Sequence, residues 1–231
     1  LNIASKEWSS RSYDGEVKGL SVSKPFVGRS AEVPADATVM RVEHGSNEGI
    51  VLAEGINPFY SDLDTYAMAA SVVDEAVRRA ISVGGTLSHL AGLDNFCWPD
   101  PVPSPNNPDA EYKMAQLVRA NRALYDLTTA YGVPLISGKD SMKNDSIRGG
   151  RRISIPPTLL FSVIGRIEDV RRVVTMDFKR PGDRIAVVGL TRNELGASEF
   201  HRWLAARRGT PSAVGGRVPC PDPAAALPLY A

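Results

Sequence analysis

The stretch Val133-Pro134-Leu135-Ile136-Ser137-Gly138-Lys139-Asp140-Ser141 decides the fold. Its first four residues read as a short buried strand, which ends at a polar Ser137-Gly138 turn. Immediately upstream, Ala110 to Tyr131 reads as a helix with Met114, Leu117, Val118, Leu124 and Leu127 on its apolar face, and Gly132 stops it. Residues 99–109 hold five prolines and read as a surface loop. Before that loop, Leu90-Ala91-Gly92-Leu93 reads as a short apolar strand running into Asp94-Asn95-Phe96. A second helix spans Thr65 to Val83, where Met68, Val72, Ala76, Ala80 and Val83 recur three and four apart. Asp62 or Asp64 caps its start, and Gly84-Gly85 ends it. Ala37 to Val42 and Ile50 to Ala53 flank a Gly45-to-Gly49 turn and read as a β-hairpin. Helices alternating with strands make the chain α/β.

Downstream, Ile153 to Gly165 reads as a longer strand, interrupted by Pro156-Pro157 and therefore expected at an edge or a bend. Arg180-Pro181-Gly182-Asp183 makes a turn before a new buried strand, Arg184 to Gly189, which places a domain boundary near residue 176. Asn193 to Glu199 opens a further helix, and residues 209–231 read as loop. Residues 1–30 are polar and mixed, with few helix signals.

With 231 residues, 43% hydrophobic and 23% charged, the chain can bury a sizeable core. A formal charge of +1 argues against wrapping nucleic acid or docking on an anionic membrane. Two cysteines, Cys97 and Cys220, suit a reducing cytoplasm. No apolar run reaches the roughly 20 residues of a membrane helix. The chain begins at Leu1 and ends within an apolar stretch, so both ends read as cuts.

Several residues offer chemistry. Gly138 permits close approach of backbone N–H groups to an anion. Lys139 brings positive charge to a phosphate, Ser141 a hydroxyl donor, and Asp140 a hard oxygen ligand for Mg²⁺. From spacing alone a simple polar turn is the commoner reading, since the run matches neither the Walker nor the dinucleotide pattern. Asp94 is a second candidate at a strand end. Glu75 sits four residues before Arg79, as Asp74 does before Arg78; both read as solvent-exposed ion pairs unless Glu75 turns toward the nucleotide residues. His44, His89 and His201 have no metal-ligand spacing, and Cys97 has no partner base.

The run from Pro134 to Asn144 resembles a signature of the second half of phosphoribosylformylglycinamidine synthase (FGAM synthase), as do Gly92 to Trp98 and Gly55-Ile56-Asn57-Pro58. Asn2 to Trp8 with Tyr13-Asp14 look like the start of that half, and Arg180 to Asp183 with Asn193 to Gly196 like the start of its last domain. The resemblance implies an aminoimidazole ribonucleotide synthetase-like N-terminal-type domain over 1–175, with a mixed sheet and packed helices. Residues 176–231 would begin a C-terminal α+β domain. It implies ATP and Mg²⁺ as cofactors, formylglycinamide ribonucleotide as substrate, and two partners: the N-terminal half of the synthetase and a glutaminase subunit that supplies ammonia. Asp94, Gly138, Lys139 and Ser141 match nucleotide-contacting positions, and Asp140 a Mg²⁺ position. Glu75 matches a metal ligand of the large-form enzymes, but their asparagine four residues later is Arg79 here, and arginine ligates no cation. No catalytic residue is assigned in this chain, which is expected to be inactive alone. Two alternatives stay open: another enzyme of the same superfamily, and a non-catalytic structural nucleotide-binding module.

Overall fold

The computed structural model describes residues 5–13, 15–210 and 215–231. Asn2, Ile3, Ala4 and Asp14, which take part in the resemblance, lie outside the described residues. The opening stretch forms a short helix, α1 (Glu7–Arg11), stabilised by an Arg11–Glu7 pair four residues apart. Three short strands follow, β1 (Ser21–Ser23), β2 (Phe26–Val27) and β3 (Val33–Pro34). The expected hairpin is β4 (Thr38–Arg41) with β5 (Gly49–Ile56), in antiparallel register from Thr38↔Leu52 to Arg41↔Gly49. Helix α2 (Thr65–Ser82) starts at Asp64, whose carboxylate accepts from the Tyr66 and Ala67 amides; Asp62 ends a 3₁₀ turn instead. Then come β6 (Leu90–Cys97), α3 (Ala110–Tyr131), β7 (Leu135–Ser141), β8 (Asp145–Arg148), β9 (Arg151–Ser154) and β10 (Thr158–Ile167). Gly132 closes α3 in the left-handed conformation, at φ 66°. Helices α4 (Glu199–Arg208) and α5 (Pro223–Tyr230) complete the described chain.

The main sheet has the order β1-β4-β5-β10-β6-β7. Only the β6–β7 pair is parallel. The fold is thus mixed α/β, a mixed sheet with packed helices, as read from the sequence. Three strand expectations are corrected. The prolines at 156 and 157 fall between β9 and β10, so β10 is central and pairs on both sides. Strand β6 continues through Asp94-Asn95-Phe96 to Cys97. Most consequentially, Ser137 to Ser141 is not a turn but the second part of β7. Pairing from Gly92↔Leu135 to Cys97↔Ser141 gives its backbone ladder partners, and its place at the sheet edge tolerates polar side chains.

Helix α2 packs on β5 and β10 on one face of the sheet, and α3 packs against α2. Val51, Ala53, Leu159, Phe161 and Val163 are buried there with Met68, Val72 and Ala76 of α2. On the other face Leu52, Ile56 and Ile164 are exposed. The buried face of α3 is offset from the expected one: Ala120, Ala123, Leu124 and Leu127 are buried, while Met114 and Val118 face solvent. Asp74 is also not a solvent-exposed partner of Arg78. It is 5% exposed and accepts from Tyr131 of α3 at 2.7 Å and Tyr230 of α5 at 2.6 Å.

The β8–β9 hairpin is anchored on the proline-rich loop. The Arg152 guanidinium donates to Asp100 at 3.1 Å and Asp145 at 3.0 Å, and the Asp100 amide donates to Asp145 at 2.8 Å. Burial pushes the Asp145 carboxyl up, but the guanidinium and the amide outweigh it and leave it at about 2, below its ordinary 3.8. A lowered folded value contributes stability above the ordinary value, and that contribution is lost as pH falls through about 2. Between those limits, Arg152→Met is expected to flatten the fall of the thermal midpoint relative to wild type. Equal slopes in circular-dichroism melts over that range would sink this account.

The C-terminal part departs most from expectation. Residues 184–189 join no strand among the described residues, and Ile185, Val187 and Val188 are 78%, 81% and 74% exposed. A strand needs a neighbour for its N–H and C=O groups, and no described strand pairs with this segment. The expected helix starts later, with Ser198 as its cap, and the supposed loop contains α5. Part of this region packs on α2: Ala197 and Val218 cluster with Ala67, and the Ser71 hydroxyl donates to the Pro219 carbonyl at 2.8 Å. No helix among the described residues is long and apolar enough to cross a membrane.

Candidate functional site

The parallel pair β6–β7 brings Asp94 beside Gly138 and Phe96 beside Asp140. Alternate residues of a strand face the same way, so Asp94, Phe96, Gly138 and Asp140 share one face, and Asn95, Lys139 and Ser141 the other. The glycine leaves room for the Asp94 carboxylate as it stands. A Cβ on Gly138 would lie 2.8 Å from Asp94 Oδ1 and 3.1 Å from Oδ2, so a side chain here would press on the carboxylate. Burial raises the Asp94 carboxyl above its ordinary range; a backbone hydrogen bond opposes this, and the charge of Asp140 adds to it. Among the described residues neither acid has a cationic partner within ion-pair distance. Two hard oxygen donors without a counter-charge are the carboxylate share of a Mg²⁺ site completed by phosphate oxygens; among the described residues no third acidic, histidine or cysteine side chain joins them.

Lys139, on the other face, has no ion-pair or hydrogen-bond partner among the described residues. Ser141 is tied to Asn144: the Asn144 amide donates to the Ser141 carbonyl at 2.6 Å, and the Ser141 hydroxyl lies 3.2 Å from Asn144 Oδ1. The Trp98 amide donates to the same Ser141 carbonyl at 2.8 Å, which anchors the end of β7 on the strand beside it. Asn95 Oδ1 is buried without a hydrogen-bond partner among the described residues, one strand from Lys139 in register. An orphan acceptor in this place marks a position for a donor. The sequence singled out the Asp94-Asn95 pair but carried no sign that the asparagine would be the unsatisfied group.

Glu75 does not join this cluster. Its Oε2 accepts from the Asn57 side chain at 2.9 Å and the Ile56 amide at 3.3 Å, and its Oε1 faces Arg79 at 4.0 Å. Arg79 donates to the carbonyls of Asp36 at 2.7 Å and Glu54 at 2.8 Å. Among the described residues no group of three or more acidic, histidine or cysteine side chains gathers there. With a guanidinium already among these oxygens, the residues around Glu75 do not fit a metal ion. Asp36 and Asn57 complete this corner, and helical spacing alone could not reveal them, because they come from other elements.

No protein-family model matches the chain. The phosphoribosylformylglycinamidine synthase subunit PurL of Thermococcus sibiricus is 35% identical over 208 residues, 90% of this chain and 26% of that protein. The structure of Thermotoga maritima PurL complexed with ATP matches with a TM-score of 0.54 and 25% identity, over 74% of this chain and 24% of that one. That of the same protein complexed with FGAR matches with a TM-score of 0.52 and 27% identity, over 71% of this chain and 23% of that one. By sequence and by fold, then, this chain is a homologue of part of the PurL subunit of phosphoribosylformylglycinamidine synthase and spans about a quarter of that subunit's length.

Proposed function

We propose that the chain forms one wall of an ATP-dependent carbon–nitrogen ligase site of the FGAM synthase type. The observation that carries this reading is the pair of uncompensated carboxylates, Asp94 and Asp140, held on one face around Gly138 at the C-terminal end of the parallel strands. In the reaction, ATP phosphorylates the amide oxygen of formylglycinamide ribonucleotide; ammonia from a glutaminase subunit then displaces phosphate and leaves the amidine. Bound Mg²⁺ supplies neutralising charge for the transferring phosphoryl group. Asp140, with Asp94 beside it, holds that charge. Gly138 keeps the approach to Asp94 open, Lys139 offers its ammonium to phosphate oxygens, and Ser141 offers its hydroxyl. β7 is the edge strand and its residues from Leu135 to Asp140 are exposed, so ligand groups can approach either face. The other wall is the N-terminal half of the synthetase, so the chain alone is inactive.

The same reading divides the chain at about residue 176. Residues 176–231 then begin a further domain, which accounts for apolar residues 185, 187 and 188 standing exposed without a neighbouring strand. Cys97 and Cys220 are free thiols, in keeping with the cytoplasm.

The test is Asp140→Ala in a full-length parent. Turnover dependent on ATP and ammonia is expected to fall on the order of 100-fold, with the melting temperature nearly unchanged. Unchanged turnover with lowered stability would instead make the site a structural nucleotide-binding module. A parent that turns over a different amide or acid would place it elsewhere in the superfamily.

A further inference from the structure

Around Arg79 four oxygens from three separate segments lie within 4.0 Å of one guanidinium. Nε donates to the Asp36 carbonyl at 2.7 Å and lies 3.9 Å from Asp36 Oδ1. One terminal nitrogen donates to the Glu54 carbonyl at 2.8 Å and lies 4.0 Å from Glu75 Oε1. Asp36 precedes β4, Glu54 lies in β5 and Glu75 in α2. Two carbonyls and two carboxylates form an all-oxygen set of the composition that hard divalent cations take. One member of the set has a tether besides the arginine: Glu75 is fixed through its other oxygen by Asn57 and the Ile56 amide. The Arg79 side chain is 34% exposed, so the cage opens to solvent on one side.

We propose that Arg79 is the resident cation of this cage and holds the place of a divalent metal ion, so that the corner joining β4, β5 and α2 needs no metal. Its guanidinium offsets one of the two carboxylate charges and satisfies both carbonyls. A divalent ion entering the intact cage meets that positive charge and finds both carbonyls already accepting hydrogen bonds. Replacing Arg79 by asparagine removes the charge, opens space and adds one oxygen, which leaves two carboxylates with nothing to neutralise them. This inference does not depend on the proposed ligase reaction.

The experiment is thermal unfolding of the 231-residue chain in EDTA, in MgCl₂ and in CaCl₂, for wild type, Arg79→Asn and Arg79→Lys. Cations bound near Asp94 and Asp140 act on all three alike, so the readout is the difference between variants. In EDTA, Arg79→Asn is expected to melt roughly 5 °C below wild type, and saturating Ca²⁺ to return about that much beyond any gain in wild type. Arg79→Lys keeps a positive charge and is expected to respond as wild type does. Adding Glu75→Gln to Arg79→Asn removes a ligand and is expected to abolish the extra response. An Arg79→Asn chain that is unfolded in EDTA and folds with Ca²⁺, followed by circular dichroism, supports the inference equally. A cation response equal in all variants, or an Arg79→Asn chain that Ca²⁺ neither stabilises nor refolds, overturns it.

Discussion

Gly55→Ala is expected to unfold the chain or to lower its stability by about 3 kcal/mol or more, at the upper end of overpacking effects. Gly55 lies in β5, where α2 crosses the sheet with its backbone almost on the strand. A Cβ there would overlap the Val72 carbonyl oxygen and stand 2.9 Å from the Val72 carbonyl carbon. The obstacle is main chain inside a helix, so no rotamer change relieves it. Either the helix lifts from the sheet or the strand bends away, and both empty the core around Val72, Ala53 and Phe161. The melting temperature should fall by roughly 10 °C for a chain of this size. Gly45→Ala is the control: its Cβ meets nothing within 4 Å, and the change should stay within about 0.5 kcal/mol. Similar melting temperatures for the two variants would mean that α2 does not sit on β5 as described.

Asp74→Ala is expected to cost about 3 kcal/mol, because it strands two phenols. The Asp74 carboxylate is the acceptor for both Tyr131 and Tyr230, and Arg78 lies 3.2 Å from it. Burial first, and then the bond to Asp74, push both phenols well above their ordinary range, so they remain protonated donors. One side chain thereby ties α2 to α3 and α5. Asp74→Asn keeps an acceptor oxygen and should cost about 1 kcal/mol. In a double-mutant cycle with Tyr131→Phe the losses should fall short of additive, since both changes break the same bond. Strict additivity in urea denaturation would argue against a shared network.

The two long helices, α2 and α3, and their ends were legible in the sequence. The stretch 65–83 carries apolar residues at helical spacing, Asp64 is an effective cap, and Gly132 provides a left-handed stop. These signals are local, and each acts within a turn of the residue that carries it. The strands were harder. Ser137 to Ser141 looks like a turn because its residues are polar, and only the neighbouring β6 makes it a strand. Residues 184–189 look like a buried strand because they are apolar, yet they pair with no strand among the described residues. Strand identity lies in the partner, which the local sequence does not contain.

The candidate site divides in the same way. From the sequence alone came the residue types: two acids, a glycine, a lysine and a serine, and the motifs that resemble FGAM synthase. Tertiary structure decided how they are arranged. Parallel pairing set Asp94 against Gly138 and Asp140 on one face and turned Lys139 and Ser141 to the other, because side chains alternate along a strand. It also set Glu75 beside Arg79, which gathers Asp36 and Glu54 from distant segments. Residue chemistry is a property of the chain; whether two charges reinforce or cancel depends on distances of a few ångströms between segments far apart in sequence, and only the folded packing sets those.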